Sequence, residues 1–336
     1  MRYVSAENLQ EDMVIAYNLY DNHEKVLLRS NTKLKQSYID RIREMHIVGV
    51  YVFEDDEICH HEPMVSEQTR IRAIESLKRL NIDDCIYIAN DIVEQIRESE
   101  FMIIETLNLS SYDNYTYTHS INVNILSVVL GVALGFGDED LKKLSQAALL
   151  HDIGKTCLPL DILNKPGKLT TDEYAEVKKH SKYGYEMIKE NPDLSAVTRN
   201  AILSHHENED GTGYPRHLTS EKIHKFAKII HIADVYDALT TKRVYKDAIN
   251  PGEALAYLLE NAGTMFDKEM VETFLQYIAP YPIGVSVELS NGEIAVVAQN
   301  NREILSRPTV HLSDGTFINL ADRDDITITK LLTDKI

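Results

Sequence analysis

Cysteine is scarce in this chain. Cys59, Cys85 and Cys157 are widely separated among 336 residues. An odd number at such spacing argues against a disulfide framework and a zinc ribbon, and suits a reducing, cytoplasmic setting. Basic residues are also in deficit: 35 Lys and Arg face 53 Asp and Glu, a net charge of −18. A nucleic-acid polymer binder would show a basic face, so no such partner is expected. A small anion held by a metal and a few local cations remains compatible with the acidic balance. The first residues contain no apolar h-region, so no signal peptide is expected. The longest apolar run, 121–136, is interrupted by Asn122, Asn124 and Ser127. It is shorter than the ~20 residues of a membrane span, so a buried helix is expected and no membrane span. There is no long repeat and no low-complexity segment.

What is present suits a globular protein of two or three domains, with 43% hydrophobic and 26% charged residues. Such a chain can bury a core without disulfides or a structural metal. Residues 1–65 read as a small α+β unit. The runs VIAYNLY and KVLLRS flank Asp21–Glu24 at hairpin spacing. The segment TKLKQSYIDRIREMHI places Leu34, Ile39, Ile42 and Met45 on one helical side, and GVYVF reads as a strand. Residues 56–68, with an acidic run, His60–His61 and Pro63, read as a linker.

Residues 66–278 read as helical, over 69–80, 84–107, 118–135, 138–150, 171–190, 193–206, 221–240 and 251–261. Thr170 and Glu173 have capping-box spacing, which starts a helix that carries His180. Asp138 is placed to cap the helix that runs into His151. Gly211, Gly213 and Pro215 mark an irregular loop. Residues 279–336 read as a small antiparallel β unit, with turns at Asn291–Gly292 and Asp314–Gly315. The expected fold is mainly α: a helical bundle core with a small α+β unit before it and a small β unit after it.

The chemistry centres on HDIGK at 151–155. Around it lie His119, His180, the doublet His205–His206 and Asp234, over about a third of the chain. Neutral imidazoles and carboxylates are ligands that Fe, Mn and Zn accept. Asp234 and Asp237 are three apart and share a helical face. A bundle can bring one ligand from each of several helices to a common point. Taken singly, His119 or His180 fits a hydrogen-bonded core histidine, Asp234 a surface charge and Lys155 a solvated lysine. Their joint order, with GYP at 213–215 and DVYDAL at 234–239, points to one metal site and a metal-dependent hydrolase. His231 reads as a packed helix residue, His60–His61 as a solvated pair, and His217 and His224 as surface residues. Cys157 reads as apolar packing.

Taken together, YTYTHS (115–120), HDIGK, LNKPGKL (163–169), KKHSKYGYEMI (178–188), HHENEDGTGYP (205–215) and ADVYDALTTKRVYK (233–246) resemble the HD-GYP family. This is a branch of the HD phosphohydrolase superfamily, and the resemblance covers about residues 100–275. It implies hydrolysis of cyclic di-GMP to linear pGpG and often onward to GMP, with pGpG and GMP both open as the final product. By position it implies metal ligation by His119, His151, Asp152, His180, His205, His206 and Asp234, with Asp152 bridging two ions. It implies that Lys155 contacts the scissile phosphate, and that Gly213, Tyr214 and Pro215 form a loop beside the nucleotide. Arg243 and Lys246 fall where basic contacts to substrate phosphates lie. Asp237 would assist from behind the ligands or in protonation.

Some family members hold a third metal with a Glu four residues before the first histidine, where this chain has Tyr115. Two divalent ions, Fe or Mn, are therefore expected. Such a pair lowers the pKa of a water and neutralises charge on phosphoryl oxygens. Lys155 adds positive charge there, and Arg243 and Lys246 would hold the second phosphate. Competing readings are a non-cleaving cyclic di-GMP receptor, a phosphodiesterase for cyclic GMP–AMP, and a diiron oxygen sensor or oxygenase. GYP, Arg243 and Lys246 favour a phosphate substrate over dioxygen. By analogy, the N-terminal unit would regulate or support a homodimer, and signalling proteins would be partners.

Overall fold

A computed structural model describes residues 2–16, 19–20, 26–45, 47, 49–53, 64–99, 104–105, 115–163, 165, 167–241, 249–301 and 303–332. The first elements are β1 (Arg2–Ser5), β2 (Val14–Ile15), β3 (Leu19–Tyr20), β4 (Val26–Leu28), α1 (Gln36–Glu44) and β5 (Gly49–Phe53). β5 lies between β1 and β2 in an antiparallel sheet, and β3 pairs with β4 separately. Most of the expected apolar side is there: Leu34, Ile39 and Ile42 pack on Ile15, Val50 and Val52, while Met45, half-buried after the end of α1, lies outside that cluster. VIAYNLY does not form one strand. Ile15 exchanges backbone hydrogen bonds with Asn31 and Thr32, while Leu19–Tyr20 pair with β4. Residues 21–24, the expected turn, lie outside the described residues.

The helical core follows: α2 (Glu67–Lys78), α3 (Ile82–Glu98), a short β6 (Ile104–Glu105), α4 (Tyr115–Ala133) and α5 (Asp138–Leu150). Then come α6 (Leu160–Leu163), α7 (Thr171–Val177), α8 (His180–Ile188), α9 (Ala196–Ser204), α10 (Lys225–Thr240), α11 (Pro251–Glu260) and α12 (Lys268–Leu275). α4 packs on α5 and α10, and α5 on α3 and α9. This follows from the apolar run of α4, whose Ile121, Val123, Leu126, Val128, Val129 and Leu130 are buried. Its polar interruptions have a use. Asn124 donates to the Ser145 carbonyl (2.6 Å) and hydroxyl (2.8 Å), and Ser145 donates to the Ala89 carbonyl (2.7 Å). Three helices are thereby fixed in register, because a buried amide needs its partners.

Several expected boundaries move. α3 stops at Glu98, where Ser99 turns extended, and Ile104–Glu105 instead pair in parallel with β7 (Ile278–Ala279). Gly137, not Asp138, is the N-cap of α5; Asp138 pairs with Arg97 (2.7 Å) and Lys142 (3.1 Å). The segment 171–190 is two helices. Its capping box at Thr170 and Glu173 is formed, but the chain turns at Lys178–Lys179 and His180 opens α8. The linker is shorter than expected, since Val65 is buried in the helical core and Ser66 caps α2. Residues 54–63, with Cys59, His60 and His61, lie outside the described residues.

The last unit is a five-stranded antiparallel sheet of β8 (Ser286–Leu289), β9 (Ile294–Gln299), β10 (Thr309–Leu312), β11 (Phe317–Asn319) and β12 (Ile328–Leu332). Its order is β11-β10-β9-β8-β12. Gly292 and Gly315 sit at the two expected turns with φ of +84° and +91°, a region open to glycine. Alternate residues such as Val287, Leu289, Ala295, Val297 and Val310 fill a separate core. Among the described residues, no helix is long and apolar enough to cross a membrane.

The capping box of α7 controls the approach to His180. Thr170→Ala removes one cap hydrogen bond and should cost about 1 kcal/mol locally. Hydrogen exchange over residues 171–177 should accelerate accordingly; unchanged protection there would contradict the assignment.

Candidate metal centre

Three of the histidines stand at helix ends. His151 follows α5, His205 follows α9, and His180 lies just beyond α7. The last carbonyls of a helix lack an amide partner. Each ring fills that gap: Nδ1 of His151, His180 and His205 donates to the carbonyls of Ala148, Val177 and Ile202, each at 2.7 Å. A carbonyl only accepts, so Nδ1 carries the proton. In the neutral ring Nε2 is then a bare lone pair.

Those lone pairs converge. Nε2 of His180 is 3.2 Å from Nε2 of His205 and 3.2 Å from Nε2 of His206. A second group joins His119, His151 and Asp152, and within each group one ligand atom per residue lies within 4.8 Å of the others. Asp152 links the groups: Oδ1 is 3.3 Å from His180 Nε2, and Oδ2 is 3.4 Å from His151 Nε2 and 3.7 Å from His119 Nε2. Asp234 spans them too, with Oδ1 3.0 Å from His119 Nε2 and Oδ2 3.7 Å from His206 Nδ1. Both carboxylates therefore face both histidine groups.

The site is dry. His119, His151, Asp152, His180, His205 and Asp234 are buried, and His206 is partly so. Burial holds the His180 imidazole below its ordinary pKa, and those of His205 and His206 well below it. Burial pushes the Asp152 carboxyl up, but Lys155, His151 and His180 outweigh it and keep Asp152 ionised. Asp234 is likewise held well below the usual range, against burial, by His119 and its neighbours. Burial lowers the His119 pKa, but Asp234 and Asp237 raise it to about 9. The ionised Asp152 carboxylate thus faces the neutral His180 imidazole, and the ionised Asp234 carboxylate the neutral His206 imidazole.

Acceptor facing acceptor is repulsive unless a cation lies between. His180 Nε2 and His205 Nε2, 3.2 Å apart, are such a pair. His151 Nε2 and Asp152 Oδ1 are buried without a hydrogen-bond partner. Nitrogen and oxygen donors of this kind suit a borderline divalent ion, so the residues fit a metal.

Two glycines permit this geometry. A Cβ on Gly154 would lie 2.0 Å from the His180 carbonyl and 2.3 Å from the Gly184 nitrogen. The 3-10 turn Ile153–Cys157 thus packs backbone to backbone on α8, setting Asp152 against His180. At Gly213 a Cβ would lie 2.3 Å from Asn208 N and 2.4 Å from the His206 carbonyl. Tyr214 donates its amide to that carbonyl (3.0 Å), and its ring stacks on His206 at 4.7 Å and 29°. Pro215 follows through a cis peptide. Buried Glu207 accepts from the amides of Arg216 (2.7 Å) and Leu218 (2.8 Å), closing the loop. The GYP loop is a brace for His206.

The fold thus brings together all seven expected ligand residues and Lys155, whose ammonium pairs with Asp152. Asp237 lies behind His119: its Oδ2 is 2.6 Å from His119 Nδ1, and its Oδ1 accepts from Asn122 (2.9 Å). Arg243 and Lys246 lie outside the described residues, as does the side chain of Tyr115, which opens α4. His231 packs on Phe266 at 4.9 Å, and His217 is exposed. His224 is not a plain surface residue; half-buried, it accepts from the Phe226 amide (3.2 Å) and caps α10. Cys157 is exposed and 3.6 Å from Met187 Sδ, not packed in apolar surroundings, because it closes the 3-10 turn on its outer side.

Sequence reasoning missed Asn122, Gly154 and Glu207. Asn122 is three residues after His119, on the same helical face, and Glu207 directly follows the HH doublet; both spacings were available signals. Gly213→Ala or Gly154→Ala should displace backbone that holds a ligand. Each should weaken metal affinity by about 10–100-fold, the range for lost outer support. Metal titration with unchanged affinity would contradict the brace.

Known proteins resemble this chain in sequence and in fold. A family model described as HD domain matches residues 102–270. The cyclic di-GMP phosphodiesterase PA4108 of Pseudomonas aeruginosa is 33% identical over 261 residues, 76% of this chain and 63% of that protein. The 3'3'-cGAMP-specific phosphodiesterase 3 of Vibrio cholerae is 39% identical over 155 residues, 46% of this chain and 34% of that protein. The chain thus spans less than two thirds of the length of either relative. A solved structure of Bd1817, an HDG"Y"P protein of Bdellovibrio bacteriovorus, covers 81% of this chain and 97% of its own. Its TM-score is 0.51 at 18% identity, a likeness of fold. With the family model spanning half its length and with HDIGK, the HH doublet and GYP in one site, the chain belongs to the HD-domain family.

Proposed function

We propose that this chain is a metal-dependent phosphodiesterase that hydrolyses cyclic di-GMP to pGpG and onward to GMP. The observation that carries the reading is the pair of histidine groups spanned by Asp152 and Asp234, with the Lys155 ammonium on the Asp152 carboxylate. His119, His151, Asp152, His180, His205, His206 and Asp234 would hold two ions, Fe or Mn; Tyr115 in place of a carboxylate favours two over three. When bound, such a pair would supply an activated water at neutral pH and neutralise charge on the phosphoryl oxygens.

The chain's own groups have separate roles. Asp152 and Asp234 supply two negative charges in a buried site, which favours cations. The backbone carbonyls behind His151, His180 and His205 fix those rings as Nε2 donors to metal. Asp237 does the same for His119. Both of its oxygens are engaged, so we assign it a positioning role and not protonation. The Lys155 ammonium, which pairs with Asp152, would offer its charge to the reacting phosphate. Gly213, Tyr214 and Pro215 shape the wall on the His206 side. Arg243 and Lys246 are proposed to bind phosphate, on the resemblance alone.

Residues 66–278 would form the catalytic unit, working in the cytoplasm. Residues 1–65 would regulate it or support a homodimer and signalling partners, and 279–336 would be an accessory β unit. The identity to a cyclic GMP–AMP enzyme makes that mixed nucleotide the second substrate to test.

Anaerobic purification, metal quantification and product analysis with both nucleotides test the reading. The expected result is two Fe or Mn per chain and pGpG followed by GMP. Binding without cleavage would replace the enzyme with a receptor, and three metals per active chain would overturn the count. Asp152→Ala and His151→Ala should abolish turnover and lower metal content; full turnover in either would reject the site. Asp237→Asn should lower metal affinity by about 10–100-fold, and unchanged affinity would remove its positioning role.

A further inference from the structure

Lys178 lies in the turn between α7 and α8, two residues before His180. Its ammonium is 4.6 Å from the ring centre of Tyr174 and 5.2 Å from that of Tyr214. Tyr214 in turn stacks on His206 at 4.7 Å. The order His206, Tyr214, Lys178, Tyr174 leads from the candidate metal centre to the surface, where Tyr174 is 50% exposed.

Two ring faces attract an ammonium and hold it in place, but they leave its charge intact. Acidic side chains would cancel that charge. Nearby Lys165 and Lys179 are paired in that way, with Glu173 and Glu176. Among the described residues, no carboxylate forms an ion pair with Lys178. In a chain of net charge −18, an ammonium with no ion-pair partner among the described residues, clamped beside the metal centre, is suited to an external anion.

We propose that Lys178 binds the second, non-reacting phosphate of a cyclic dinucleotide, with Tyr174 and Tyr214 as the clamp that presents it. This rests on the phosphodiesterase reading above, and it adds a described residue to the contacts proposed for Arg243 and Lys246. A remote phosphate held this way orients the reacting one, so the contact acts in substrate binding and not in the chemical step. A lysine suits this role, because its three N–H donors can reach a phosphate while the rings hold its flanks.

The test compares two substrates on the full chain loaded anaerobically with Fe or Mn. Cyclic di-GMP has a second phosphate; bis(p-nitrophenyl) phosphate has none. Lys178→Gln should raise KM for cyclic di-GMP by about ten-fold, as for a lost charge-assisted hydrogen bond. Its kcat should stay within about two-fold, and turnover of the simple diester should be unchanged. Lys178→Arg, which keeps the charge and the ring contacts, should restore KM. Tyr174→Leu should raise KM for cyclic di-GMP alone, and it carries the test should Lys178→Gln fail to fold. Equal effects on both substrates, or no effect on KM, would overturn the role of Lys178. Wild-type protein that cleaves the simple diester but not cyclic di-GMP would overturn the substrate reading, and this inference with it. Wild-type protein that cleaves neither would overturn the phosphodiesterase reading itself.

Discussion

Three imidazoles whose Nδ1 protons are committed to backbone carbonyls must present bare nitrogens to one another and to two ionised carboxylates. In a buried interior that is an electrostatic defect on its own, since His151 Nε2 and Asp152 Oδ1 have no donor among the described residues and the Nε2 atoms of His180 and His205 face each other. A divalent cation turns the same arrangement into a ligand set. The rest of the molecule can be understood as what keeps these groups in place. Helix ends deliver the carbonyls, glycines allow the close backbone approaches, and the GYP loop braces the ring that burial fixes least.

The device reuses a structural need that every helix has. Carbonyls in the last turn require donors, and a histidine just past the end supplies one from Nδ1. The same hydrogen bond fixes the tautomer and aims Nε2. His119, on α4, takes its orientation from Asp237, which Asn122 holds in turn. The core beneath serves the same end. Asn124 and Ser145 lock α3, α4 and α5 by buried hydrogen bonds, so the helices that carry His119 and His151 keep a fixed spacing.

Much of this was legible in the sequence, and the reasons are physical. Periodicity and caps locate helices well where one face is apolar, so α4, α5, α10 and the C-terminal hairpins fall near their expected places. The resemblance carried by HDIGK, HH, GYP and their neighbours named the seven residues, His119, His151, Asp152, His180, His205, His206 and Asp234, that the fold brings together. Local pattern could not see interactions across the chain. The parallel pairing of Ile104–Glu105 with Ile278–Ala279 ends a helix that propensity alone would extend. The break before His180 depends on a side chain capturing a carbonyl. Gly154 and Gly213 have no local signature, because what they avoid is a backbone distant in sequence or folded back on itself. The exposure of Cys157 depends on which side of a short turn faces out, which composition does not encode.

Anomalous diffraction at the Fe or Mn edge, from crystals of protein purified anaerobically, tests most directly whether the converging acceptors are two cation sites joined by Asp152 and Asp234. The expected map has two peaks, one among His180, His205 and His206 and one among His119, His151 and Asp152, with the Asp152 carboxylate between them. A map with no peak in either group, and with Asp152 still paired to Lys155, would contradict that assignment.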